Sequence, residues 1–496
     1  MKYIQLFLLF FGLNVCSQAQ GIFPDPSFGV YGVVQIPWRI WALNPYGNYL
    51  QVQEDGSMVF VGSPDSYSFD VLRYRTDGTL DTSFYGRLPF LSTYSAGVGV
   101  QSDKKLLVTG LLVTDVAGIA VARLHPDGAL DTTFGIGGIS AIGVDHAYVT
   151  NVLELSNKKI WVFGCESANG GDPPSVITQL NPDGSIDEAF GNKGHLRVNP
   201  SPSYDFIPNG VQLPDGRVLF AGMAGWRIML MQLHPNGTLD TSFGLNGIII
   251  HDLGGHGVLS EAYDLALLDD GKIVVTGYTH LPFSAVILQC LPDGTLDPAF
   301  GFQGVHHVLN EVEGTSLVVR PDGKIISAIM GGGSNPALTL VQVLPDGSRD
   351  LSFGVDGKYE LPKPMEQALT ISLTGNELTV LAQNRGNHIL FLQRLLLDLS
   401  VGVLHPASPQ TQVLLYPNPI TEHFSLDFEL QEQINLDVWV LDMNGKKVFD
   451  VVNNQDYPAG KHSLSGVLPE GLPQGNYLLT MRSGQKILRS IQIAKG

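Results

Sequence analysis

Short apolar runs bounded by glycine- and proline-rich turns recur along most of the chain. One run is 58–61 (MVFV), which follows Asp55-Gly56, and another is 273–275 (IVV), which follows Asp270-Gly271. Such runs are typical of buried β-strands, and Asp-Gly pairs supply the backbone conformations that tight turns require. No segment of this region has a helical apolar period of useful length. The pattern predicts an all-β fold.

A longer phrase repeats every ~53 residues and predicts how these strands are organised. It reads Pro-Asp-Gly-Ala-Leu-Asp-Thr-Thr-Phe-Gly at 126–135. Each period holds about four short strands that cannot bury both faces alone, so stacked copies form a β-propeller. The truncated first and last copies complement each other and would close a ring; an open β-solenoid is the alternative. We predict a seven-bladed propeller at 22–400, with one phrase phenylalanine per blade: Phe28, Phe84, Phe134, Phe190, Phe243, Phe300 and Phe353.

The phrase resembles the delta-60 repeat, a propeller-forming unit of secreted bacterial proteins. The turn, the Leu-Asp pair, the Phe-Gly pair and a trailing glycine recur at fixed offsets over roughly 22–400. Two departures are Tyr85, which replaces the glycine after Phe84, and Arg349, which stands at the usual leucine. The resemblance implies an architecture, and it carries no general catalytic assignment.

The N-terminus has the features of an export signal. Lys2 is followed by an apolar run at 6–13, and Ser17 and Ala19 are small residues before a cleavage point, so residues 1–19 are predicted to be a signal peptide. Cys165 and Cys290 would then be the cysteines of the mature chain, and we expect them to be buried thiols. No other stretch is long and apolar enough to predict a membrane span.

The C-terminal part of the chain has a different pattern. Residues 401–412 read as a linker, and after them Phe424, Leu426 and Phe428 alternate with polar residues, which predicts a small β-sandwich at 413–496. This tail resembles the C-terminal sorting domain (type A) of type IX secretion substrates in Bacteroidota. The matching pieces are 416–419 (YPNP), 442–448, 475–477 (GNY) and a basic last strand. The resemblance implies contact with the type IX secretion machinery and a secreted or cell-surface-attached product.

Composition removes two classes of partner. The chain has 496 residues and a formal net charge of −18, and only 15% of its residues are charged. Nucleic acids and anionic membrane surfaces both select Lys/Arg patches, so neither is an expected partner.

Strand parity suggests where a ligand would bind. We expect the repeated Asp-Gly turns to join second to third strands and blade to blade, which leaves the variable loops at the opposite end of the sheets. Loops on a rigid scaffold commonly carry binding residues. The alternative for each residue is an ordinary solvated surface. The candidate ligand-binding residues at the variable-loop end are Asp145, His146, Tyr148, Asp205, Trp226, Glu261, Tyr263 and Asp264.

The aspartate that recurs after each turn raises the question of a metal. A Ca²⁺ site uses six to eight oxygens, whereas the phrase supplies two carboxylates or fewer. Aspartate is also a good acceptor for turn N–H groups. We therefore expect structural turns and no cofactor, with calcium as the disfavoured alternative. His306 and His307 are neighbours on a strand and point to opposite faces, so they do not form a two-histidine metal site.

The sequence favours a non-catalytic propeller that acts in binding, adhesion or scaffolding towards an extracellular glycan or protein. No catalytic motif is present, so we expect that the protein is not an enzyme. The alternative is a secreted polysaccharide lyase or hydrolase that uses carboxylates of the variable-loop end. Fold alone does not separate these functions.

Overall fold

A computed structural model describes most of the chain. It covers residues 21–39, 48–65, 68–88, 91–112, 118–143, 148–166, 174–201, 205–253, 259–280, 283–309, 311–331, 337–384, 389–397, 413–416, 420, 422–430, 433–442, 447–469, 471–483 and 486–495. The predicted signal peptide and the predicted linker lie outside these residues. The chain divides into two compact units, Met1–Asp398 and Leu399–Gly496.

The described residues of the first unit are strands and turns. The strands are β1 (Ile22–Pro24), β2 (Val33–Arg39), β3 (Leu50–Val52), β4 (Met58–Asp65), β5 (Ser68–Tyr74), β6 (Leu80–Leu88), β7 (Leu91–Val100), β8 (Leu106–Leu112), β9 (Gly118–Leu124), β10 (Ile139–Ala141), β11 (Tyr148–Glu154), β12 (Ile160–Cys165), β13 (Ser175–Leu180), β14 (His195–Val198), β15 (Asp205–Gln212), β16 (Val218–Ala224), β17 (Arg227–Leu233), β18 (Ile248–His251), β19 (Ser260–Leu267), β20 (Ile273–His280), β21 (Phe283–Cys290), β22 (Val305–Leu309), β23 (Glu311–Val319), β24 (Ile325–Gly331), β25 (Leu338–Val343), β26 (Lys358–Glu360), β27 (Gln367–Thr374), β28 (Glu377–Gln383) and β29 (Ile389–Leu397).

These strands form seven antiparallel sheets within the described residues. Six sheets take four consecutive strands in chain order, from β3–β6 to β23–β26. The seventh joins β27, β28 and β29 to the N-terminal strands β1 and β2. The first strand of each sheet contacts the first strand of the next, and β27 contacts β3. The sheets therefore follow one another around a closed ring, which confirms the all-β propeller prediction.

Each phrase phenylalanine is buried at a junction between sheets. The seven rings are at most 2% exposed, and burial of each ring stabilises the fold by about 1.5–3 kcal/mol. The turn glycine of the next repeat packs directly on the ring: a Cβ on Gly237 would lie 2.6 Å from Phe190, and one on Gly184 would lie 2.9 Å from Phe134. Because these turn glycines also have positive φ, with values of 84° and 86°, both the turn and the packing select glycine.

The second unit has two antiparallel sheets. Its strands are β30 (Val413–Tyr416), β31 (His423–Leu430), β32 (Ile434–Asp442), β33 (Lys447–Tyr457), β34 (Gly460–Val467), β35 (Gly475–Ser483) and β36 (Lys486–Lys495). The sheet orders are β30-β31-β34 and β33-β32-β35-β36. Phe424 and Phe428 of the first sheet share one hydrophobic cluster with Val438 and Leu479 of the second. Two sheets with a common core are the arrangement of a β-sandwich.

Candidate functional site

The two ends of each sheet differ in the connections that they carry. In the sheet β15–β18, Asp215-Gly216 joins the first strand to the second, and Asn236-Gly237 joins the third to the fourth. Our assignment of these turns to the second-to-third and blade-to-blade connections is therefore wrong. The separation itself holds, because the repeated turns share one end of each sheet. The connections that vary in sequence share the other, which we call the variable-loop end.

Three of the candidate residues lie at or next to one variable connection. Asp145 and His146 are outside the described residues. Tyr148 begins β11, where its backbone pairs with Cys165, and its side chain is not described. Their proposed role in binding stays a prediction.

Asp205 and Trp226 lie at the same end of the strand pair β15–β16, where Asp205 pairs with Ala224. Asp205 is fully buried, and its carboxylate accepts hydrogen bonds from the hydroxyl of Ser201 at 2.7 Å and from the Ser201 backbone N–H at 3.3 Å. Trp226 forms a two-residue turn with Gly225; both have positive φ, at 63° and 55°. The Trp226 carbonyl accepts the N–H of Ser260 at 2.8 Å, while its side chain is 41% exposed. The structure thus buries the acid and exposes the indole.

Glu261 and Tyr263 are buried beside Tyr278, at 7% and 6% exposure. The Tyr278 hydroxyl donates to Oε1 of Glu261 at 3.3 Å, and the two tyrosine rings stack with centroids 6.1 Å apart. Burial, followed by the negative charge of Glu261, raises the pKa of Tyr278 above its ordinary value. These groups form one packed cluster whose hydroxyl stays protonated.

Asp264 holds neighbouring sheets together. Its Oδ1 accepts the amide of Asn209 at 2.6 Å and the N–H of Leu265 at 2.8 Å, and its Oδ2 accepts the hydroxyl of Ser316 and the N–H of Leu317, each at 2.9 Å. Burial raises the pKa of Asp264, and the four donors oppose that rise. A carboxylate with four protein donors has few lone pairs left for a ligand.

The contacts of Asp264 belong to a longer chain, which we call the inner belt. The amide of Asn151 donates to Asn209 at 3.0 Å, and beyond Asp264 the Ser316 hydroxyl accepts the N–H of Ile371 at 3.2 Å. The belt therefore joins the first strands of five consecutive sheets. Sequence reasoning missed it because the residue type changes along the repeats, from asparagine to aspartate to serine.

The recurrent aspartate of the phrase has the same role in every repeat. Its Oδ1 accepts a backbone N–H two residues later; for Asp240, Ser242 donates through its N–H at 3.0 Å and its hydroxyl at 2.6 Å. Its other oxygen meets a cation, which is Arg217 for Asp240. The Ser242 hydroxyl and the Arg217 guanidinium lower the pKa of Asp240 to about 2. These contacts are those expected of structural turns. The ion pairs are Asp25–Arg394, Asp81–Arg73, Asp131–Arg123, Asp187–Lys159, Asp240–Arg217, Asp297–Lys272 and Asp350–Lys324.

The cation comes either from the third strand or from the turn before the second strand. Arg73, Arg123 and Arg394 lie on the third strand of their sheets. In the other repeats that third-strand position is glutamine, and the cation lies in the turn before the second strand. The glutamine amide donates to the aspartate in three of these repeats, and in the fourth Gln232 accepts a hydrogen bond from Arg217. Gln289 and Lys272 around Asp297 are one such set, at 2.9 and 3.0 Å. Each repeat keeps a cation beside its aspartate, but the position of that cation in the sequence differs between repeats. A search for a basic residue at one fixed offset in the repeat therefore does not find the ion pair.

The remaining titratable groups form no metal centre among the described residues, where no group of three His, Cys, Asp or Glu side chains gathers. Cys165 and Cys290 are buried free thiols, as expected. Burial raises the pKa of Cys290 to about 12, so its nucleophilic thiolate is suppressed. The described part of the chain contains no helix long and apolar enough to cross a membrane.

The fold and the repeated turns define a β-propeller of tandem repeats followed by a β-sandwich tail. Residues 53–84, 101–134, 213–243, 268–300 and 320–353 match the family described as "Domain of unknown function (DUF5122) beta-propeller". Residues 414–494 match the secretion system C-terminal sorting domain. The chain thus carries repeats of this propeller family and a type IX secretion sorting domain, which directs it to the cell surface or the extracellular space.

Solved structures with a similar course of the chain have low sequence identity. A glucose dehydrogenase is 13% identical, with 61% of this chain and 95% of that chain covered and a TM-score of 0.39. An ulvan lyase of polysaccharide lyase family PL25 is 10% identical, with 74% and 96% covered and a TM-score of 0.39. A protein of unknown function from Dyadobacter fermentans is 11% identical, with 74% and 100% covered and a TM-score of 0.37. No curated protein matches the chain.

Proposed function

We propose that this secreted propeller is a non-catalytic binding module that takes an extracellular glycan or protein ligand at its variable-loop end. The observation that carries the proposal is Trp226. Its indole is 41% exposed at the tip of a tight turn whose backbone is fixed by the N–H of Ser260. A rigid, exposed aromatic ring offers apolar contact area at a low cost in conformational entropy, which is the property of a binding platform.

The contacts of the nearby carboxylates support binding over catalysis. Asp205, Glu261 and Asp264 accept hydrogen bonds from neighbouring protein groups, and Asp264 has four donors. A hydrolase or lyase needs two or three titratable groups that converge on a cavity and change protonation during the reaction. Carboxylates that tie strands together are poorly suited to that task.

A glycan array probed with the full mature chain tests the proposal. We expect a specific hit, and we expect Trp226→Asn to weaken it by about tenfold or more, because stacking on one aromatic ring contributes about 1.5 kcal/mol. Asparagine tolerates positive φ, so the turn is kept. Ile136→Ala, which removes an exposed apolar residue at the repeated-turn end, is the matched control and should bind normally.

Further measurements distinguish the proposed function from its alternatives. Binding should be the same with calcium and with a chelator; a chelator-sensitive hit would restore the calcium alternative. Hydrolysis or eliminative cleavage of the bound glycan would contradict the non-catalytic role. A blank array, followed by capture of a surface protein that Trp226→Asn fails to capture, would assign a protein ligand.

A further inference from the structure

A surface cavity of 590 Å³ lies at the repeated-turn end, away from Trp226. It forms where the hairpin before β22 meets the turn that joins β25 to β26. Its polar lining comes from His306 and His307 on β22 and from Asp346, Ser348 and Arg349 on the turn, and Phe302 stands at the tip of the hairpin. All of its lining residues, with their side chains, belong to the described part of the chain.

The repeats supply an internal reference for this junction. At the position of Arg349 the other repeats carry aliphatic residues, namely Leu80, Leu130, Ile186, Leu239 and Leu296. At the position of His306 three other repeats carry Val34, Leu196 and Ile249. At three junctions both positions are therefore aliphatic, whereas here both are basic and line the same cavity; Ser140 and Tyr359 hold the His306 position in two further repeats. A packing role alone does not need this change, since aliphatic pairs close three of the corresponding junctions.

The two basic side chains have unused hydrogen-bonding capacity. The aliphatic stem of Arg349 covers Gly357, where an added Cβ would lie 2.6 Å from its Cδ. Its guanidinium has no ion pair within the described parts of the chain. Nε2 of His306 is buried and has no hydrogen-bond partner in those parts. Burial, then the charge of Arg349, lowers the pKa of His306, so the ring is neutral; its other nitrogen donates to the Gly347 backbone, which leaves Nε2 as a hydrogen-bond acceptor.

The rest of the lining suits a sugar. Phe302 is 77% exposed and offers a flat apolar face. Asp346 is exposed; it accepts the Ser348 hydroxyl at 2.6 Å and the Ser348 N–H at 2.9 Å on Oδ1, and no contact of Oδ2 occurs among the described residues. A carboxylate oxygen is a strong acceptor for sugar hydroxyls. Arg349 suits a carboxylate, and Asp346 accepts hydroxyl groups, which a simple inorganic anion does not supply.

We propose that this cavity binds an acidic sugar residue, whose carboxylate pairs with Arg349, whose hydroxyls donate to Asp346 and to Nε2 of His306, and whose ring packs on Phe302. The site is independent of the proposed function, since it lies at the other end of the sheets. It gives the propeller a contact of defined charge with a carboxylated polysaccharide at the repeated-turn end.

Titration of the full mature chain with methyl glucuronide, followed by ligand-observed NMR, tests the site. We expect the neutral methyl glucoside to bind about tenfold more weakly, which corresponds to one charge-assisted contact of about 1.4 kcal/mol. The variant Arg349→Leu/His306→Ile should lose this preference. It should also fold, because its new residues are those that the other repeats use. Phe302→Ser should weaken both sugars.

Two control variants test whether the binding belongs to this cavity. Lys193→Asn removes an equal charge from an exposed hairpin position with positive φ and should leave binding unchanged, as should Trp226→Asn. Unchanged glucuronide binding in the double variant would overturn the proposal. Displacement of the glucuronide by an equal concentration of acetate would overturn the sugar assignment, and so would tighter binding of a short glutamate peptide.

Discussion

The two ends of the propeller sheets tie neighbouring strands together in different ways. At the repeated-turn end, one aspartate, one cation and one buried phenylalanine return in each repeat. Away from that end, the inner belt joins five sheets with Asn151, Asn209, Asp264 and Ser316, a changing set of residues. A tight turn accepts few residue types, so the same sequence phrase recurs in each repeat. A side-chain hydrogen bond between strands needs only a donor and an acceptor within reach, so many pairs satisfy it.

The largest effect is expected where the ring closes. Arg394 donates through Nε to Asp25 at 2.6 Å, and both side chains are at most 5% exposed. Arg394→Leu leaves a buried carboxylate without its partner, so we expect the free energy of unfolding to fall by about 3–5 kcal/mol. Lys159 pairs with Asp187 at 2.7 Å but is 30% exposed; Lys159→Met should cost about 1 kcal/mol or less. Chemical denaturation measures both.

Equal losses for these two variants would contradict the comparison, because the closing pair would then be one more surface contact. Asp25→Asn is a second test at the same place. It keeps an acceptor for Ser27 and removes the charge, so its loss should resemble that of Arg394→Leu. A loss below about 1 kcal/mol in both variants would show that strand pairing alone closes the ring.

Among the residues of the inner belt, we expect substitution of Asp264 to lower stability the most. Asp264→Ala removes an acceptor from Asn209, Ser316, Leu265 and Leu317 together, so we expect a loss of about 2–3 kcal/mol. Ser316→Ala removes one hydroxyl and should cost about 1 kcal/mol. If Asp264 were a ligand contact with no structural role, Asp264→Ala would lower binding and leave the denaturation midpoint unchanged. That outcome would support the ligand-binding role that the sequence predicts for Asp264.

Much of the fold could be predicted from the sequence, and the reason is physical. The phrase phenylalanines mark the junctions because a turn glycine packs on six of the seven rings, and the Asp-Gly pairs mark the turns because they require positive φ. The alternation of Phe424, Leu426 and Phe428 identified a strand of the tail, and all three are buried.

The site was harder to predict because burial depends on the neighbouring sheet. Asp205, Glu261, Tyr263 and Asp264 were expected to face a ligand, but the first three are buried, and Asp264 accepts hydrogen bonds from the inner strands of both neighbouring sheets. The sequence pattern distinguishes loops from strands. It does not predict which acidic residue near a loop accepts hydrogen bonds from donors on the next repeat. Arg349 did give a signal, as a departure from the leucine of the phrase. Its meaning required the adjacent hairpin, which brings His306 beside it.

The smallest expected effect on the free energy of unfolding is an increase, and it comes from a residue between the two ends of a sheet. Gln393, in the middle of β29, is fully buried, and neither its Oε1 nor its Nε2 has a hydrogen-bond partner in the described residues. The corresponding positions in two other repeats hold Leu72 and Leu288. Gln393→Leu should therefore stabilise the propeller by about 1 kcal/mol, since an unsatisfied buried amide costs about 1–3 kcal/mol. A lower denaturation midpoint in this variant would contradict the prediction and would mean that an ordered water satisfies the amide.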